Sequence, residues 1–456
     1  MCDKNNTYYI VTFGCQMNEH DSSLIAGLLK LSGYTASSCL EDADIVVVNT
    51  CCIRETAEQK ILSFLGSLKV YARNNPSFMV VVYGCMVQAK GNAAKISRIG
   101  NYIGVLAGTS VLGKIPFYIE QFKTAGKRII DISIDNLSSD AAHMTTHPII
   151  KKEPFRATVS IIYGCDNFCS YCIVPYVKGR ERSRMPEPIL SDIHALAESG
   201  CKEVLLLGQN VNSYGKDIIS KNTTGAGEYS FARLLRQISR VDGLKRIRYM
   251  TSHPRDFNKE LLETIASEPK VCKHFHLPVQ SGSDKILAAM NRGYNTNYYK
   301  QLISDIRTAV PKAVITTDII VGFPGETESD FNETLRLVSN CLFDAAYTFM
   351  YSSRNGTSAA KMPEQVDKQE KKQRLYKLTE LQNSISLKKN QDSIGSILEV
   401  LVEGKSKNNG EKYSARTEGN KVVIFSPCSE NIISPGDLLN IKISAANTWN
   451  LFGNIE

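Results

Sequence analysis

Short runs of aliphatic residues alternate with amphipathic stretches through the amino-terminal third of the sequence. Each run is rich in valine and isoleucine with few polar positions, which is typical of parallel strands covered on both faces. Helical spacing of apolar residues follows the first two runs, in Asn18–Leu31 and Arg54–Ala72. The predicted strands are Tyr8–Phe13, Ile45–Asn49, Met79–Tyr83 and the weaker Tyr102–Leu106. We therefore expect an α/β domain with a doubly wound parallel sheet over residues 1–135.

A second α/β series follows a polar segment. The segment Asp135–Pro154 contains serine, aspartate, histidine and proline and is predicted to be a linker. Six apolar runs then predict strands at Ala157–Tyr163, Glu203–Leu207, Arg246–Met250, His274–Leu277, Val314–Gly322 and Ala345–Tyr351. Six β/α steps suit a partial barrel or a large open sheet. We assign residues 151–390 to a central partial (β/α)6 barrel that ends in a charged helix.

The last segment of the chain has the pattern of a small all-β barrel. Apolar residues alternate or cluster between glycine, asparagine and proline turns. The predicted strands include Ile397–Val402, Lys421–Phe425 and Leu438–Ile443. We expect a separate barrel domain over residues 391–456.

Composition restricts the class of protein. The 456 residues include 13 cysteines and carry a formal net charge of +8. The polar amino terminus lacks the apolar segment of a signal peptide, and the apolar runs are too short to span a membrane. We expect a cytosolic protein, whose thiols serve metal binding or catalysis rather than disulfides. The positive charge favours an anionic partner, of which nucleic acid is one candidate.

Three cysteines are crowded into the stretch GCDNFCSYC, at Cys165, Cys169 and Cys172. The stretch follows a predicted strand directly, at the strand end where β/α folds bind ligands. A closed zinc site needs four ligands, and a redox pair needs only two. Three thiolates on a four-iron cluster instead leave one iron open to a further ligand. The alternatives are a zinc half-site or a chance spacing of the three cysteines.

Three more cysteines occupy equivalent positions in the first domain. Cys15, Cys51 and Cys85 each follow a predicted strand directly. Because the carboxyl ends of parallel strands share one edge, these thiols are predicted to converge. The alternative is three independent small core residues. Cys52 could compete as a ligand, but we favour Cys51 because it comes first after the strand and Cys52 should point elsewhere.

Several sequence blocks resemble the methylthiotransferase family of radical S-adenosylmethionine enzymes. The blocks TFGCQMN, NTCCIRE and YGCMVQ resemble its amino-terminal domain. Five further blocks resemble the radical domain of the family: YGCDNFCSYCIVPYVKGRERSR, LLLGQNVNSYG, HLPVQSGSD, MNRGY and TDIIVGFPGETESDF. The β-rich tail resembles a TRAM domain, a small RNA-binding barrel. The resemblance extends over essentially the whole chain.

This resemblance implies two [4Fe-4S] clusters and S-adenosyl-L-methionine as cofactors. Cys165, Cys169 and Cys172 would hold the radical cluster, and Cys15, Cys51 and Cys85 an auxiliary cluster. One S-adenosylmethionine would supply the methyl group, and a second would be the radical source. The cofactor-binding residues implied by the resemblance are Tyr171, Gly208, Gln209, Asn210, Gln280 and Ser281. Gly322 and Glu326 are weaker candidates, and His253 reads as structural rather than as a base.

The resemblance also implies a substrate. The expected reaction is methylthiolation of C2 of N6-isopentenyladenosine at position 37 of tRNA, next to the anticodon. The alternatives are a sister enzyme acting on N6-threonylcarbamoyladenosine tRNA or on a ribosomal protein aspartate, or a non-catalytic iron–sulfur RNA-binding protein. We expect a monomer that has no membrane partner and receives electrons from a reducing donor.

Basic residues provide candidate contacts for the tRNA. Lys178, Arg180, Arg182 and Arg184 follow the cysteine motif. They could steer phosphates, bind a cofactor carboxylate or lie in a solvated loop. The helix around Lys371–Lys377 is a second candidate. The tail from Gln391 has a net charge of −2, so a local patch must serve there. Its members would be Lys405, Lys407, Lys412, Tyr413 and Arg416.

Overall fold

The computed structural model describes residues 6–52, 55–134, 153–221, 229–427 and 432–456. Most of the predicted linker, residues 135–152, lies outside this range. The chain divides into two compact units. The first holds the described residues up to 134 together with Thr158–Asp166 and Cys172–Ala195. The second holds Glu153–Ala157, Asn167–Tyr171 and the described residues from Leu196 onward.

The first unit is built on a six-stranded parallel sheet in the order β2-β1-β3-β4-β5-β6. Its strands are β1 Thr7–Thr12, β2 Thr35–Ala36, β3 Ile45–Thr50, β4 Met79–Gly84, β5 Ile103–Ala107 and β6 Ile129–Asp131. Its helices are α1 Gln16–Leu31, α2 Glu55–Ser67, α3 Lys69–Asn74, α4 Cys85–Gln88, α5 Asn92–Ser97 and α6 Ile115–Ala125. The predicted doubly wound sheet is confirmed, with the short edge strands β2 and β6 added to it.

Alternate residues of the central strands pack on opposite faces of this sheet. In β3, Ile45 and Val47 belong to one apolar cluster, and Val46 and Val48 belong to another. All four side chains are completely buried. Burial of both faces explains why the strand is a continuous apolar run rather than an alternating one.

The remaining elements of the first unit precede and follow the cysteine motif in the sequence. The predicted strand Ala157–Tyr163 divides into β7 Arg156–Ser160, which the two units share, and β8 Ile162–Tyr163. The strand β8 pairs antiparallel with β9 Arg182–Ser183. Two helices follow, α7 Val174–Lys178 and α8 Pro186–Glu198. The prediction of one continuous strand was therefore wrong, because the strand is interrupted at Ile161.

The second unit begins with five parallel strands of the predicted partial barrel. These are β10 Glu203–Leu207, β11 Arg246–Tyr249, β12 His274–His276, β13 Val314–Val321 and β14 Ala345–Met350. Together with β7 they form two three-stranded sheets, in the orders β11-β10-β7 and β12-β13-β14. A single parallel bridge between Ile247 and Val271 links β11 to the segment before β12. The helices are α9 Lys216–Lys221, α10 Phe231–Ser239, α11 Lys259–Ser267, α12 Asp284–Ala289, α13 Thr296–Ala309, α14 Glu328–Cys341 and α15 Lys368–Gln391.

A closed five-stranded barrel ends the chain, in the order β15-β16-β17-β19-β18. Its strands are β15 Ile397–Lys405, β16 Tyr413–Thr417, β17 Val422–Ser426, β18 Leu438–Ala446 and β19 Asn450–Ile455. The predicted all-β tail is confirmed. Arg248 of β11 donates to the carbonyl oxygen of Thr417 at 2.7 Å and pairs with Glu203 at 2.7 Å. Charged groups thus fix the barrel to the neighbouring strands of its own unit.

Within the described residues, no helix is both long enough and apolar enough to cross a membrane.

Candidate metal centre and cofactor site

The three amino-terminal cysteines follow three neighbouring strands at one edge of the sheet. Cys15 directly precedes α1 after β1, Cys51 follows β3, and Cys85 begins α4 after β4. The order β1-β3-β4 makes these strands adjacent and parallel. The strand order reverses between β1 and β3, and ligands bind at such a switch point in open α/β sheets. Cys15 and Cys51 thus follow the two strands that flank the expected crevice.

Asn18 and Gly14 hold two of these loops together. The amide of Asn18 donates to Asn49 Oδ1 at 2.8 Å and to the carbonyl of Thr50 at 3.1 Å, and the Cys15 thiol donates to Asn18 Oδ1 at 3.3 Å. Gly14 has φ +138°, and a Cβ placed on it would lie 2.9 Å from the Cβ of Cys51. The loops after β1 and β3 therefore approach closely. Sequence reasoning missed Asn18, although it stands inside the TFGCQMN block.

Cys52 faces Cys85, contrary to the expectation that it points elsewhere. The two buried thiols are hydrogen-bonded to each other. This bond, opposed by burial and assisted by the charge of Lys178, lowers the pKa of Cys85 to about 7. The same bond and burial raise the pKa of Cys52. The bond and the charge of Lys178 thus favour the thiolate form of Cys85, and the thiolate is the form of cysteine that binds metals.

Lys178 is buried in the first unit and is not a surface residue that steers phosphates. Its Nζ lies 3.6 Å from Asp21 Oδ2. Burial alone would lower the pKa of Lys178, but the negative charges of Asp21, Cys85 and Cys15 outweigh it and raise the pKa. The ammonium group thus adds positive charge near thiols that would otherwise repel one another as thiolates.

The other basic residues after the motif also differ from their predicted role. Arg184 is buried, pairs with Asp192 at 2.7 Å and donates to the carbonyl of Ser160 at 2.9 Å. Arg180 is exposed and lies 3.1 Å from Asp166. Arg182 is half-buried in β9. Arg180 is the most accessible of the four for a contact with phosphate.

The motif cysteines are divided between the two units. Cys165 is buried and Cys172 half-buried in the first unit, whereas Cys169 is buried in the second. The backbone N–H of Cys165 donates to Gly179 at 3.2 Å. Gly164, just before it, has φ +72°, and a Cβ there would lie 2.0 Å from the carbonyl oxygen of Arg180. Glycine is required because no side chain fits this approach.

Over all described residues, no three His, Cys, Asp or Glu side chains are grouped closely enough to hold a single metal ion. The ligand role of each cysteine triad stays a prediction.

In the second unit, Arg292 connects Cys169 to Tyr171. Its Nη1 donates to the Cys169 thiol and to the Tyr171 hydroxyl, both at 3.3 Å. Its Nη2 donates to the carbonyl of Pro278 at 2.7 Å. Arg292 had no predicted role, and the only available signal was its place in the MNRGY block.

Of the three predicted cofactor-binding residues that follow β10, Asn210 makes side-chain hydrogen bonds. Gly208 is buried and Gln209 half-buried. Asn210 is buried, donates to Asp256 at 2.7 Å and accepts from the backbone N–H of His253 at 3.1 Å. The Asn210 side chain therefore holds the loop before α9 in place, and the role of Gly208, Gln209 and Asn210 in cofactor binding stays a prediction.

Gln280 and His253 present buried polar atoms that suit a ligand. Gln280 has φ +73°, and within the described residues nothing bonds its Oε1. His253 Nδ1 accepts from the N–H of Arg255 at 3.3 Å, whereas its buried Nε2 has no partner among the residues described. Burial, assisted by the charge of Arg292, lowers the pKa of His253 to about 2, so the ring is neutral and a poor base. Such unpaired buried groups are costly unless a ligand satisfies them.

Ser281 and Glu326 are engaged within the protein. Ser281 is completely buried and accepts from the N–H of Ser283 at 3.2 Å. Glu326 accepts from the N–H of Gly322 at 2.6 Å and pairs with the buried Arg374 at 2.7 Å. Burial, which outweighs these bonds, raises the pKa of Glu326. Glu326 thus reads as structural.

In two of the predicted RNA-binding surfaces, some of the residues are buried or bonded within the protein. Arg374, inside the basic helix segment, is buried. In the barrel, Arg416 pairs with Glu403 at 2.9 Å and Tyr413 stacks on Phe425, with ring centroids 5.8 Å apart. Lys405 and Lys407 remain exposed, and Lys412 is half-buried.

Comparison with known proteins gives three family matches. The model described as the Radical SAM superfamily matches residues 159–338. The model described as Uncharacterized protein family UPF0004 matches residues 7–107, and that of the TRAM domain matches residues 391–455. Together they follow the order of the sheet, the partial barrel and the closed barrel.

Curated relatives match nearly the whole chain. A tRNA-2-methylthio-N(6)-dimethylallyladenosine synthase of Natranaerobius thermophilus is 47% identical over 448 residues, covering 98% of this chain and 96% of the relative. Proteins of the same name from Clostridium novyi and Moorella thermoacetica are 47% and 46% identical and cover 99% and 100% of this chain, and 97% and 99% of themselves.

A solved structure shares the fold. The radical S-adenosylmethionine methyltransferase TsrM from Kitasatospora setae, with tryptophan substrate and a SAM analog bound, aligns with a TM-score of 0.53. The alignment covers 75% of this chain and 72% of that one at 11% sequence identity. At this identity the likeness concerns the fold alone.

Proposed function

Because the chain belongs to the radical S-adenosylmethionine methylthiotransferase family, with tRNA-2-methylthio-N(6)-dimethylallyladenosine synthases as its relatives, we propose that it modifies C2 of the adenine at position 37. The enzyme methylthiolates isopentenyladenosine in tRNA. The observation that carries this function is the 47% identity to a synthase over 98% of the chain. A tRNA substrate further favours action in the cytoplasm.

We infer that each cysteine triad holds one [4Fe-4S] cluster. Cys165, Cys169 and Cys172 would leave one iron open for S-adenosylmethionine. For Cys15, Cys51 and Cys85, the support is their shared sheet edge and the lowered pKa of Cys85. When bound, these groups and two S-adenosylmethionine molecules supply the radical and the methyl group, which no protein side chain can provide.

The residues of this chain would bind and orient the cofactor. Gln280 and His253 would satisfy their unpaired buried atoms by bonding to it. Gly208 and Gln209, beside the engaged Asn210, would present backbone groups to its methionine part. Tyr171 would pack near its adenine, while Arg292 fixes the Tyr171 hydroxyl. Because His253 is neutral and buried, it would donate a hydrogen bond and take up no proton.

The test is product analysis with defined RNA. The protein, reconstituted anaerobically with iron and sulfide, is incubated with S-adenosylmethionine, a low-potential reductant and an isopentenylated anticodon stem-loop. Mass spectrometry of the digested RNA should show 2-methylthio-isopentenyladenosine, and iron analysis should give about eight irons per chain. A variant with Cys165, Cys169 and Cys172 replaced by alanine is the control, which should retain about half of the iron and form no product.

A matched RNA separates this proposal from the sister reaction. A stem-loop of the same sequence that carries N6-threonylcarbamoyladenosine should remain unmodified. Methylthiolation of that RNA, with the isopentenylated one unchanged, would overturn the proposed substrate.

A further inference from the structure

Arg292 is a buried cation whose donors converge on a predicted cluster ligand. The residue is 4% exposed. Besides Cys169, Tyr171 and Pro278, it contacts the Tyr294 hydroxyl through Nε at 3.1 Å. All of these groups lie in the second unit. A guanidinium has five N–H donors in a rigid fork, so this arrangement aims one arm of the fork at sulfur.

Arg292 differs from the buried Arg248 and Arg374 of the same unit in how its positive charge is compensated. Arg248 pairs with Glu203 at 2.7 Å, and Arg374 pairs with Glu326 at 2.7 Å. Among the ion pairs formed by the described residues, none joins Arg292 to a carboxylate. A buried charge is costly unless an opposite charge compensates it. The nearby group that can become negative and accept its hydrogen bond through sulfur is Cys169.

Hydrogen bonds and positive charge near a cluster sulfur affect its electron affinity. The reduction potential of an iron–sulfur cluster depends on its net charge, on hydrogen bonds to its sulfurs and on solvent exposure. Reduction adds one electron from a low-potential donor, which loses that electron, and no bond forms or breaks. A fixed guanidinium stabilises the extra negative charge and therefore raises the potential.

We propose that Arg292 is a positioning residue that donates a hydrogen bond to the sulfur of Cys169 in the loaded enzyme and raises the reduction potential of the cluster there. This inference rests on the proposed function, since it requires a cluster on Cys165, Cys169 and Cys172. Arg292 would also hold Tyr171 against the same site through its second contact. It touches neither substrate nor S-adenosylmethionine in this role.

The first experiment is a potentiometric titration of the reconstituted holoenzyme, followed by electron paramagnetic resonance. The chain lacking the three motif cysteines identifies the signal of the other cluster. Arg292→Gln should lower the equilibrium constant for reduction at least tenfold, which is about 59 mV for a one-electron couple. Arg292→Lys, which keeps the charge, should stay near the wild-type potential.

Arg255→Gln is the matched control. Arg255 contacts Asn167 in the motif, but it is solvent-exposed and lies 3.4 Å from Asp256. Its replacement should leave the potential unchanged. Equal shifts in the glutamine and lysine variants of Arg292, or no shift in either with the iron content intact, would overturn the inference.

A second measurement can overturn the inference on the wild-type protein alone, and it uses the lysine variant only to assign the signal. Wild-type holoenzyme is prepared with 15N-labelled arginine, and pulsed electron–nuclear spectroscopy is recorded on the reduced cluster. A 15N coupling that disappears in Arg292→Lys supports the contact, and its absence from the wild type contradicts it. RNA methylthiolation is measured in parallel, so an active enzyme without the coupling rejects the role of Arg292 but retains the proposed function.

Discussion

The thiols of Cys52 and Cys85 are hydrogen-bonded to each other, although they follow different strands of the amino-terminal sheet. The pKa of Cys52 is raised and that of Cys85 is lowered, which favours Cys52 as the donor and Cys85 as the acceptor of this bond. A residue that donates a hydrogen bond to a metal ligand orients that ligand and does not itself bind the metal. Cys51, which lies beside Gly14, therefore stays the ligand that we predict from the loop after β3.

We therefore expect Cys51→Ala and Cys52→Ala to differ in iron content. In a background without Cys165, Cys169 and Cys172, the parent should bind about four irons per chain. Cys52→Ala should retain that iron, and Cys51→Ala should lose it. Iron and sulfide analysis after anaerobic reconstitution makes the measurement. The reverse pattern would show that Cys52 is the ligand.

Gly14→Ala should disturb the same site through packing. The new Cβ would lie 2.6 Å from Asn18 Oδ1 and 2.9 Å from the Cβ of Cys51. Gly33→Ala is matched to it, because Gly33 also has positive φ but no atom within 4 Å of the new Cβ. The control should cost about 1–2 kcal/mol of stability with iron unchanged. Gly14→Ala should cost more and lower the iron in the same background. Equal iron contents in both variants would contradict this account of the crevice.

Removal of Arg374 should be strongly destabilising. The guanidinium compensates the buried carboxylate of Glu326 at 2.7 Å. Arg374→Met leaves that charge unpaired and should cost about 3–5 kcal/mol in urea unfolding. The double variant with Glu326→Gln should lose less stability than Arg374→Met alone. Lys372→Met, at an exposed position of the same helix, should stay within about 0.5 kcal/mol of wild type. A small effect of Arg374→Met would show that the pair is not needed.

His274 should make stability depend on pH below neutrality. Burial, with the charges of His276 and Arg248, lowers the pKa of His274 to about 3. The unfolded chain takes up a proton near pH 6.5 while the folded chain does not, so stability is present above that pH and is lost progressively down to about pH 3. Between about pH 7.5 and 5.5 the loss should be roughly 1.4 kcal/mol.

The measurement for His274 compares unfolding free energies at two pH values. His274→Gln lowers stability at both pH values through its lost bond to Thr316, which is 2.9 Å long in the wild type. Between about pH 7.5 and 5.5, the free energy of unfolding of His274→Gln should fall by roughly 1.4 kcal/mol less than that of the wild type. Identical pH dependence in the two proteins would show that His274 is protonated in the folded state.

The sequence was most informative where backbone rules determine position. Cys15, Cys51 and Cys85 could be placed at one sheet edge because parallel strands have their carboxyl ends together. The valine runs of β3 and β4 could be assigned because a sheet covered on both faces leaves no polar position. The edge strands β2 and β6 were missed because they have two and three residues and little burial.

Long charged side chains were the least predictable residues. Lys178, Arg184 and Arg374 were expected at the surface, and all three are buried against carboxylates. Their carboxylate partners are distant in the sequence or stand among other polar residues. The local sequence pattern therefore does not indicate which residues form these ion pairs. Arg292 was missed for the same reason, because its contact with Cys169 joins residues that are 123 positions apart.

The course of the backbone through the cysteine motif also restricts how this protein could be divided. The chain leaves the first unit after Asp166, contributes Asn167–Tyr171 to the second, and returns at Cys172. A fragment ending at residue 152 would lack two stretches of its own unit, and the complementary fragment would carry them without their partners. We therefore expect that neither fragment, expressed alone, would contain all the residues of one compact unit and no others.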